Sequence, residues 1–322
     1  METTAPAPVG GNRLAWHDLP DGLRVHLEAA VGSPVVSATS KEGGFSPALA
    51  SVLMLADGRS VFAKAVSLSR NDFTVAAIRR EIQVLAELPT TVAAPQLLWS
   101  YDDGEWVALV IEAFDGHNPG LPWHREDLER FLAAMTVLAA SLTPSPIVAK
   151  LFTDSVEEFT RWSQMADDPA MTARLDPEFR SHIAEMIQLE KSWAAAVDGT
   201  SLLHGDMRAD NFILTTADRP PGFAVVDWPS VCIGAPWVDL FYALPSISMY
   251  GGGDPDRLWL EHPLSRGVDA DAVNAALAGV IGFFIWRSLE PPVPLLPTIR
   301  QFQRAQGFAA YRWLAGRMGW SS

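Results

Sequence analysis

The chain has 322 residues, of which 48% are hydrophobic and 19% are charged. This composition is typical of folded globular proteins and excludes disordered, collagen-like and coiled-coil chains. Acidic residues outnumber basic ones by 38 to 24, and the resulting net charge of -14 argues against a nucleic-acid partner, because phosphate binding depends on clustered Lys and Arg.

Two further features bear on compartment and membrane association. Cys232 is the only cysteine and cannot form an internal disulfide, and the first residues lack the basic and apolar regions of a signal peptide, so we expect a cytoplasmic protein. The most apolar stretch, residues 272–286, contains Asn274 and is shorter than the ~20 residues that span a bilayer. We interpret it as a core helix and expect no membrane partner.

In chain order, the first third of the sequence alternates short apolar runs with turn residues. Residues 1–12, rich in Pro, Ala, Thr and Gly, predict a flexible tail. The elements that follow are a helix at 18–31, strands at 48–56 and 61–66 joined by a two-residue turn at Asp57-Gly58, a helix at 73–88, and strands at 96–101 and 105–112 joined by Asp103-Gly104. Gly and Pro residues between 116 and 122 then break the chain. We place a boundary there, which gives a tail (1–12), an N-terminal lobe (13–115) and a C-terminal lobe (116–322).

The rest of the chain is mostly helical. Helices are predicted at 126–142, 155–165, 177–197, 237–244, 270–289 and 299–318. One hairpin interrupts them, with strands at 212–216 and 223–227. The predicted fold class is therefore α+β: a small sheet-rich lobe is followed by a larger, mostly helical lobe.

The most specific segment is the sequence HGDMRADN at residues 204–211. It places a histidine, two carboxylates, a guanidinium and an amide within eight residues, a density that a packed core does not need; a solvated turn is the alternative. A turn centred near Arg219 would place Asn211 opposite Asp227 at the open end of the hairpin, with Asp206 one short turn away. Two carboxylates and an amide oxygen form a site suited to Mg²⁺.

This order of residues, followed by a short hairpin and Val226-Asp227-Trp228, resembles the catalytic loop and the metal-binding Asp of aminoglycoside phosphotransferase-like kinases, within the protein-kinase-like superfamily. The spacing of Asp206 and Asn211 matches the kinase loop in which an Asn follows the Asp by five residues. The resemblance covers residues 42–244. It implies a bilobal protein-kinase-like fold and an Mg²⁺-dependent transfer of the γ-phosphate of ATP, or GTP, to a hydroxyl of a small molecule.

Lys64 and Glu81 extend the pattern into the N-terminal lobe. Lys64 lies on a predicted strand whose neighbours are otherwise apolar; a lysine that only extends its charge to solvent is the alternative. On the following helix, Glu81 shares one face with Ile78, Ile82 and Leu85, so its carboxylate points into an apolar region and needs a cation. The resemblance implies that Lys64 holds the nucleotide phosphates and that Glu81 holds Lys64.

Two further segments resemble nucleotide-binding parts of the family. Residues 41–48 resemble the phosphate-covering loop, in which glycines let backbone N–H groups approach phosphate, although a plain turn is the alternative. Ala48 stands near the place where the family often has another glycine. Residues 112–116 take the position of the hinge whose backbone meets the base. The candidate nucleotide-binding residues in these two segments are Gly43, Gly44, Phe45, Ser46, Glu112 and Phe114.

The resemblance also implies roles around the catalytic loop. Asp206 is expected to orient the substrate hydroxyl and accept its proton, and Asn211 and Asp227 are expected to hold Mg²⁺. Arg208 is expected to neutralise the transferring phosphoryl group, with a salt bridge to Asp210 or Asp227 as the alternative.

Two more residues are expected to support the loop. His204 is interpreted as a structural member that orders it. Asp239 resembles a buried Asp that accepts hydrogen bonds from the backbone of the loop; a first-turn helix carboxylate is the alternative.

The acceptor is the open question. Related enzymes phosphorylate hydroxyls on aminoglycosides, macrolides, amino alcohols, sugars and amino acids. The C-terminal segment is basic and aromatic, which weakens an aminoglycoside assignment, because such a substrate needs carboxylates; the aromatic residues form either a stacking surface or part of the core. These residues are Phe302, Phe308, Tyr311, Trp313 and Trp320.

Two rival classes stand beside a small-molecule kinase. A catalytically silent kinase-like binding protein is disfavoured because the catalytic, metal and phosphate-binding residues are all present. A protein kinase is disfavoured because no activation segment with an Ala-Pro-Glu-like end follows Asp227 and because Trp228 replaces the usual Phe-Gly. We expect a monomer or a dimer.

Overall fold

The computed structural model describes residues 12–41, 43–216 and 220–320. Its N-terminal part is a five-stranded antiparallel sheet with the order β1-β2-β3-β5-β4, accompanied by two helices. The strands are β1 (Val35–Ser40), β2 (Leu49–Leu55), β3 (Ser60–Ser67), β4 (Leu97–Asp102) and β5 (Trp106–Glu112). The helices are α1 (Asp21–Val31) and α2 (Asp72–Glu87).

The central strands of this sheet are covered on both faces. Successive side chains of a strand point to opposite faces. On β5, Ala108 and Val110 pack with the leucines of α1, whereas Val107, Leu109 and Ile111 belong to the core that includes α2. This arrangement explains why β5 is almost continuously apolar. The sheet also positions Lys64, because the backbone of this residue pairs with that of Leu109 on the neighbouring strand.

Helix α2 is set by its first residues and by its apolar face. The side-chain oxygen of Asn71 accepts a hydrogen bond from the N–H of Thr74 at 2.7 Å, which caps the helix. Ile78 and Leu85 are buried on the face that packs against the sheet, and Glu81 lies on the same face with only 1% of its surface exposed. The predicted orientation of Glu81 is confirmed.

The C-terminal part is mostly helical and contains two small sheets, of order β10-β7 and β6-β8-β9. Its strands are β6 (Gly116–His117), β7 (Ser201–Leu203), β8 (Phe212–Thr215), β9 (Phe223–Val225) and β10 (Cys232–Gly234). Its helices are α3 (Arg125–Ser141), α4 (Val156–Phe159), α5 (Trp162–Asp167), α6 (Pro169–Arg174), α7 (Pro177–Ser181), α8 (Ile183–Glu190), α9 (Trp193–Val197), α10 (Val238–Met249), α11 (Pro255–Glu261), α12 (Ala270–Leu289) and α13 (Ile299–Met318). The predicted α+β fold with a small antiparallel sheet and a larger helical lobe is confirmed.

The apolar helix α12 lies in the core of the helical part. By length and composition it could cross a membrane, but 56% of its most apolar window is buried within the protein, as expected of a core helix. A Cβ atom on Gly279 would lie only 2.3 Å from the ring of Trp193, so this position requires glycine for the two elements to approach.

Several elements differ from the sequence prediction. The single helices predicted at 155–165 and 177–197 are broken into shorter ones. The strands β1, β6, β7 and β10 and the helices α6 and α11 were not predicted. Strand β1 is an edge strand in which only the first residue is even partly buried, so it lacks an apolar pattern. The first hairpin turn is a three-residue loop, because Leu55 pairs with Arg59 and Gly58 takes a φ of +87°.

The register of the β8–β9 hairpin also differs from the prediction. Phe212 pairs with Val225, and the N–H of Val226 donates to the carbonyl of Asn211 at 2.9 Å. Asn211 therefore lies opposite Val226 and not Asp227. An even number of residues separates the paired positions Phe212 and Val225, so no single residue lies at the centre of the connection. The prediction assumed such a central residue, Arg219. Residues 217–219 lie outside the described residues.

The boundaries of the two lobes stay a prediction. The proposed tail lies outside the described residues up to residue 11. The short strand β6 follows the proposed break and pairs with β8 of the helical part, which is compatible with a lobe boundary after residue 115.

Candidate active site

A cleft of about 990 Å³ lies between the five-stranded sheet and the helical part. Most of the predicted site residues line it. These residues are Gly43, Gly44, Phe45, Ser46, Lys64, Glu81, Glu112, Phe114, Asp206, Arg208, Asn211 and Asp227. The other two, His204 and Asp239, are buried behind the loop that carries Asp206.

Lys64 joins the two halves of the site. Its ammonium group donates to both carboxylate oxygens of Glu81, at 2.9 and 2.7 Å, and to Oδ1 of Asp227 at 2.7 Å. Burial alone would lower the pKa of Lys64, but the charges of Asp227 and Glu81 outweigh this effect and raise it above its usual value. The cation is therefore permanent, and it also lowers the pKa of Asp227 against the effect of burial.

Asp206 and Asn211 are held together within the loop. The side-chain amide of Asn211 donates to the carbonyl of Asp206 at 2.8 Å and to its carboxylate at 3.1 Å. Because both bonds need a donor, they place the NH₂ group of Asn211 toward Asp206. The amide oxygen of Asn211 is then available to another partner. The Asp206 side chain is 38% exposed. Burial raises the pKa of this carboxyl group, and the nearby Arg208 opposes that rise.

Asp239 and His204 fix the backbone that carries Asp206. Asp239, in the first turn of α10, accepts hydrogen bonds from the N–H groups of His204 and Gly205 at 2.7 and 2.9 Å. Both contacts were expected, and both are present. Nδ1 of His204 accepts from the N–H of Asp206 at 3.3 Å, and Nε2 lies 3.0 Å from the carbonyl of Val226. These partners assign the neutral tautomer with hydrogen on Nε2, which is a structural arrangement.

Arg208 makes the salt bridge that the sequence left as the alternative role. Its Nε and Nη2 each lie 3.0 Å from an oxygen of Asp210, and Nη1 lies 3.4 Å from Asp206. The guanidinium also lies 5.6 Å from the ring of Phe45 and 5.9 Å from that of Phe302. This pair is largely buried and not on the surface, because only 17% of the Arg208 side chain is exposed.

The donor set at the cleft fits a divalent cation that is shared with a ligand. Asn211 and Asp227 offer an amide oxygen and a carboxylate, the hard ligands that Mg²⁺ prefers. Asp227 has a φ of +70°, a strained conformation for a residue other than glycine, and such strain is concentrated at functional sites. Among the described residues no group of three or more His, Cys, Asp and Glu side chains could hold a metal alone. This set suits Mg²⁺, which usually takes one or two carboxylates and completes its shell with water and phosphate.

Apolar side chains line the cleft beside the charged groups. Glu112 and Phe114, the predicted hinge residues, border the same cleft, and the N–H of Glu112 donates to the carbonyl of Gln96 at 2.9 Å. The apolar lining residues are Ala50, Val52, Phe62, Ile111, Ile213 and Val226.

Sequence reasoning missed three side chains around the site. Arg13 donates to the carbonyl of Gly43, and Nδ2 of Asn118 donates to three backbone carbonyls at residues 209, 210 and 212. Phe302 packs on Phe45 with a ring distance of 4.9 Å. Arg13 and Asn118 lie in segments without a local motif, so nothing in the sequence marked them. Phe302 was noted only as one aromatic residue among several.

The other aromatic residues near the C-terminus belong to the core. Tyr311 and Trp313 are buried, Phe308 packs on Phe179, and Trp320 stacks on His182. Their sequence pattern therefore reflects packing.

Comparison with known proteins identifies the family. The sequence profile of the phosphotransferase enzyme family matches residues 44–291, and the chain belongs to this family. No curated protein matches the chain in a sequence search.

Solved structures share the fold at low sequence identity. A thermostable mutant of aminoglycoside phosphotransferase APH(4)-Ia, in ternary complex with ADP and hygromycin B, is 12% identical with a TM-score of 0.57; the match covers 92% of this chain and 97% of that one. The gentamicin complex of APH(2")-IIa is 13% identical with a TM-score of 0.56, covering 91% and 96%. Amicoumacin kinase hAmiN, in complex with AMP-PNP, Ca²⁺ and Ami, is 11% identical with a TM-score of 0.51, covering 90% and 94%.

These comparisons confirm the resemblance that the loop motif suggested. The chain has the fold of the aminoglycoside phosphotransferases, and the expected enzyme class, a small-molecule phosphotransferase, is confirmed through its family.

Proposed function

We propose that this protein transfers the γ-phosphate of ATP, or of GTP, to a hydroxyl of a small molecule in an Mg²⁺-dependent reaction. The observation that carries the proposal is the convergence of Lys64, Asp206, Asn211 and Asp227 in one cleft. A permanent cation, a carboxylate at the cleft surface and an oxygen pair suited to Mg²⁺ are the parts that phosphoryl transfer needs.

The nucleotide is bound by groups on both sides of the cleft. The base lies against the apolar lining residues beside the predicted hinge residues Glu112 and Phe114. Lys64 holds the phosphates and is itself held by Glu81. Since Lys64 also contacts Asp227, it competes with a metal for that carboxylate, and it turns toward the phosphates when they supply the countercharge.

Asn211 and Asp227 would hold Mg²⁺ against the phosphates. The metal, when bound, supplies positive charge that neutralises the phosphate oxygens. The low pKa of Asp227 keeps this ligand ionised over the physiological pH range. The hydrogen bonds from Asn211 to Asp206 orient the amide so that its oxygen is the atom available to the metal.

Asp206 acts as the base. The acceptor hydroxyl donates a hydrogen bond to its carboxylate, and the hydroxyl oxygen attacks the γ-phosphorus. The bond between this phosphorus and the β,γ-bridging oxygen breaks, the nucleoside diphosphate leaves, and the proton passes to Asp206. Asp239 and His204 act as positioning residues, because they hold the backbone on either side of Asp206.

Arg208 contributes charge near the reacting groups. Its bidentate bond to Asp210 fixes the guanidinium, and its contact with Asp206 helps to keep the base ionised. In this arrangement the proposed contact with the phosphoryl group uses the Nη1 side of the guanidinium.

We propose that the acceptor is an antibiotic, a sugar, an amino sugar or an amino alcohol. Glu81 and Asp210 line the cleft but are already bound to Lys64 and Arg208. The carboxylates that remain near the reacting position have assigned roles as base and metal ligand. Among the described residues, few acidic groups are thus left to bind several ammonium groups, which favours acceptors with little positive charge.

A catalytically silent nucleotide-binding protein is the alternative. The test is Mg²⁺-dependent release of ADP and GDP across a panel of aminoglycosides, macrolides, amino sugars, sugars, choline-type amino alcohols and hydroxy amino acids. Asp206→Asn serves as the blank, because it preserves the shape of the side chain and removes the base. Release that depends on one acceptor class and vanishes in the variant supports the proposal. Mg²⁺-dependent nucleotide binding without release for any acceptor would favour the silent protein.

A further inference from the structure

The N-terminal segment places a further guanidinium, that of Arg13, at the cleft. Leu14 is buried in the core beneath α1, which fixes the position of its neighbour Arg13. Arg70 donates to the carbonyls of Asn12 and Pro47 and so ties this segment to the end of the glycine-containing loop. Arg13 is therefore placed by packing and hydrogen bonding and does not extend freely into solvent.

Arg13 lies where the glycine-containing loop meets the catalytic loop. It donates to the carbonyl of Gly43, and a Cβ atom on Gly44 would lie 3.3 Å from its Nη2 and 3.8 Å from Oδ2 of Asp210. Burial lowers the pKa of Arg13, while the charges of Asp227 and Asp210 raise it, so the cation lies within electrostatic reach of the proposed metal ligand. It is thus close both to the loop that covers phosphates and to the proposed metal site.

The guanidinium groups of Arg13 and Arg208, which both lie beside Asp210, differ in what they already bind. Arg208 is bound to Asp210 through two nitrogens and contacts Asp206 through a third. Within the described part of the chain, Arg13 forms no salt bridge with a carboxylate, and its side-chain hydrogen bond there goes to the neutral carbonyl of Gly43. An arginine has five N–H donors, and bonds to a charged oxygen are roughly twice as strong as bonds to a neutral one. A phosphate oxygen beside Gly44 would therefore replace the carbonyl as the preferred partner.

We propose that Arg13 contacts the γ-phosphate of the bound nucleoside triphosphate and neutralises the charge of the transferring phosphoryl group. This inference rests on the proposed function and adds a catalytic residue that lies outside the two phosphate-binding motifs. During transfer, charge spreads over the three equatorial oxygens of the phosphoryl group, and a guanidinium at that position stabilises it. The residue also distinguishes a triphosphate from a diphosphate, since the diphosphate lacks the group that it binds.

The test compares two nucleotides in the full-length protein. Binding of Mg²⁺·AMP-PNP and of Mg²⁺·ADP is measured by calorimetric titration for the wild type, Arg13→Ala and Arg13→Lys. We expect Arg13→Ala to weaken AMP-PNP binding about tenfold, the loss expected for a charge-assisted contact, and to leave ADP binding within about twofold. Arg13→Lys should recover part of the loss, because it keeps the charge but not the planar fork of donors.

Arg59→Ala is the matched control. It removes an exposed guanidinium of the same N-terminal part, which binds Asp57, does not touch the segment of Arg13 and does not line the cleft. We expect it to leave the ratio of the two affinities unchanged. Equal weakening of AMP-PNP and ADP binding by Arg13→Ala, or the same change of ratio in Arg59→Ala, would overturn the proposal and make Arg13 a structural residue of the loop. If the wild type bound neither nucleotide, the proposed function would be wrong, and this proposal would fall with it.

Discussion

Replacement of Asp239 by asparagine tests whether this buried carboxylate fixes the catalytic loop. Asp239 is 7% exposed and accepts two backbone hydrogen bonds, at 2.7 and 2.9 Å, from consecutive residues His204 and Gly205. An asparagine can accept only one of them, because its NH₂ group faces the second N–H group. The cost is the loss of one bond to a charged acceptor and a buried donor without a partner, together about 2–3 kcal/mol.

Native-state hydrogen exchange measures this cost where it arises. The backbone amides of His204 and Gly205 should exchange about 30 to 150 times faster in Asp239→Asn, since each 1.4 kcal/mol is about a factor of ten. Glu261→Gln is the control, because it breaks an exposed salt bridge whose two side chains are 76% and 63% exposed and should change stability by less than about 1 kcal/mol. Unchanged exchange at both amides in Asp239→Asn would refute the reasoning.

Two further predictions concern the charged residues. Lys64→Met leaves Glu81 buried without its cation and should lower the free energy of unfolding by about 3–5 kcal/mol. Adding Glu81→Gln should restore part of this free energy, as measured by denaturation of the two single variants and the double variant. A loss in the double variant equal to the sum of the two single losses would contradict the buried pair. The raised pKa of Asp206 places the acid limb of kcat/KM above the usual carboxyl range, so activity falls as pH drops through that pKa. Arg208→Gln removes a charge that lowers this pKa, so the limb should move to higher pH; a limb that stayed in place or moved to lower pH would count against Asp206 as the base.

The parts of the site that local sequence could predict are those built from neighbouring residues. The order of Asp206, Asn211 and Asp227 lies within one short stretch of chain, and the helical periodicity around Glu81 marks a carboxylate facing the sheet. Lys64 followed as its partner because a buried carboxylate needs a cation. These contacts depend on local spacing and on charge balance, both of which a sequence displays.

The parts that could not be predicted depend on distant segments meeting in space. Arg13 reaches Gly43 through the packing of Leu14 and the hydrogen bonds of Arg70, none of which forms a local pattern. The β8–β9 register was wrong because it depends on the number of residues in the turn. The helix predicted at 177–197 is broken although its apolar periodicity continues, because periodicity does not register interruptions of the backbone.

The most direct test of the account is the transfer step itself under single-turnover conditions. Once the acceptor panel has identified a substrate, γ-labelled ATP is mixed with excess enzyme and saturating acceptor, and the labelled phosphate ester is followed for the wild type and Asp206→Asn. We expect both proteins to bind the Mg²⁺-nucleotide with similar affinity and the variant to transfer the label about 100 to 10,000 times more slowly, the usual contribution of a general base. An unchanged rate of ester formation in Asp206→Asn would contradict the assignment of this residue as the base on which the mechanism rests.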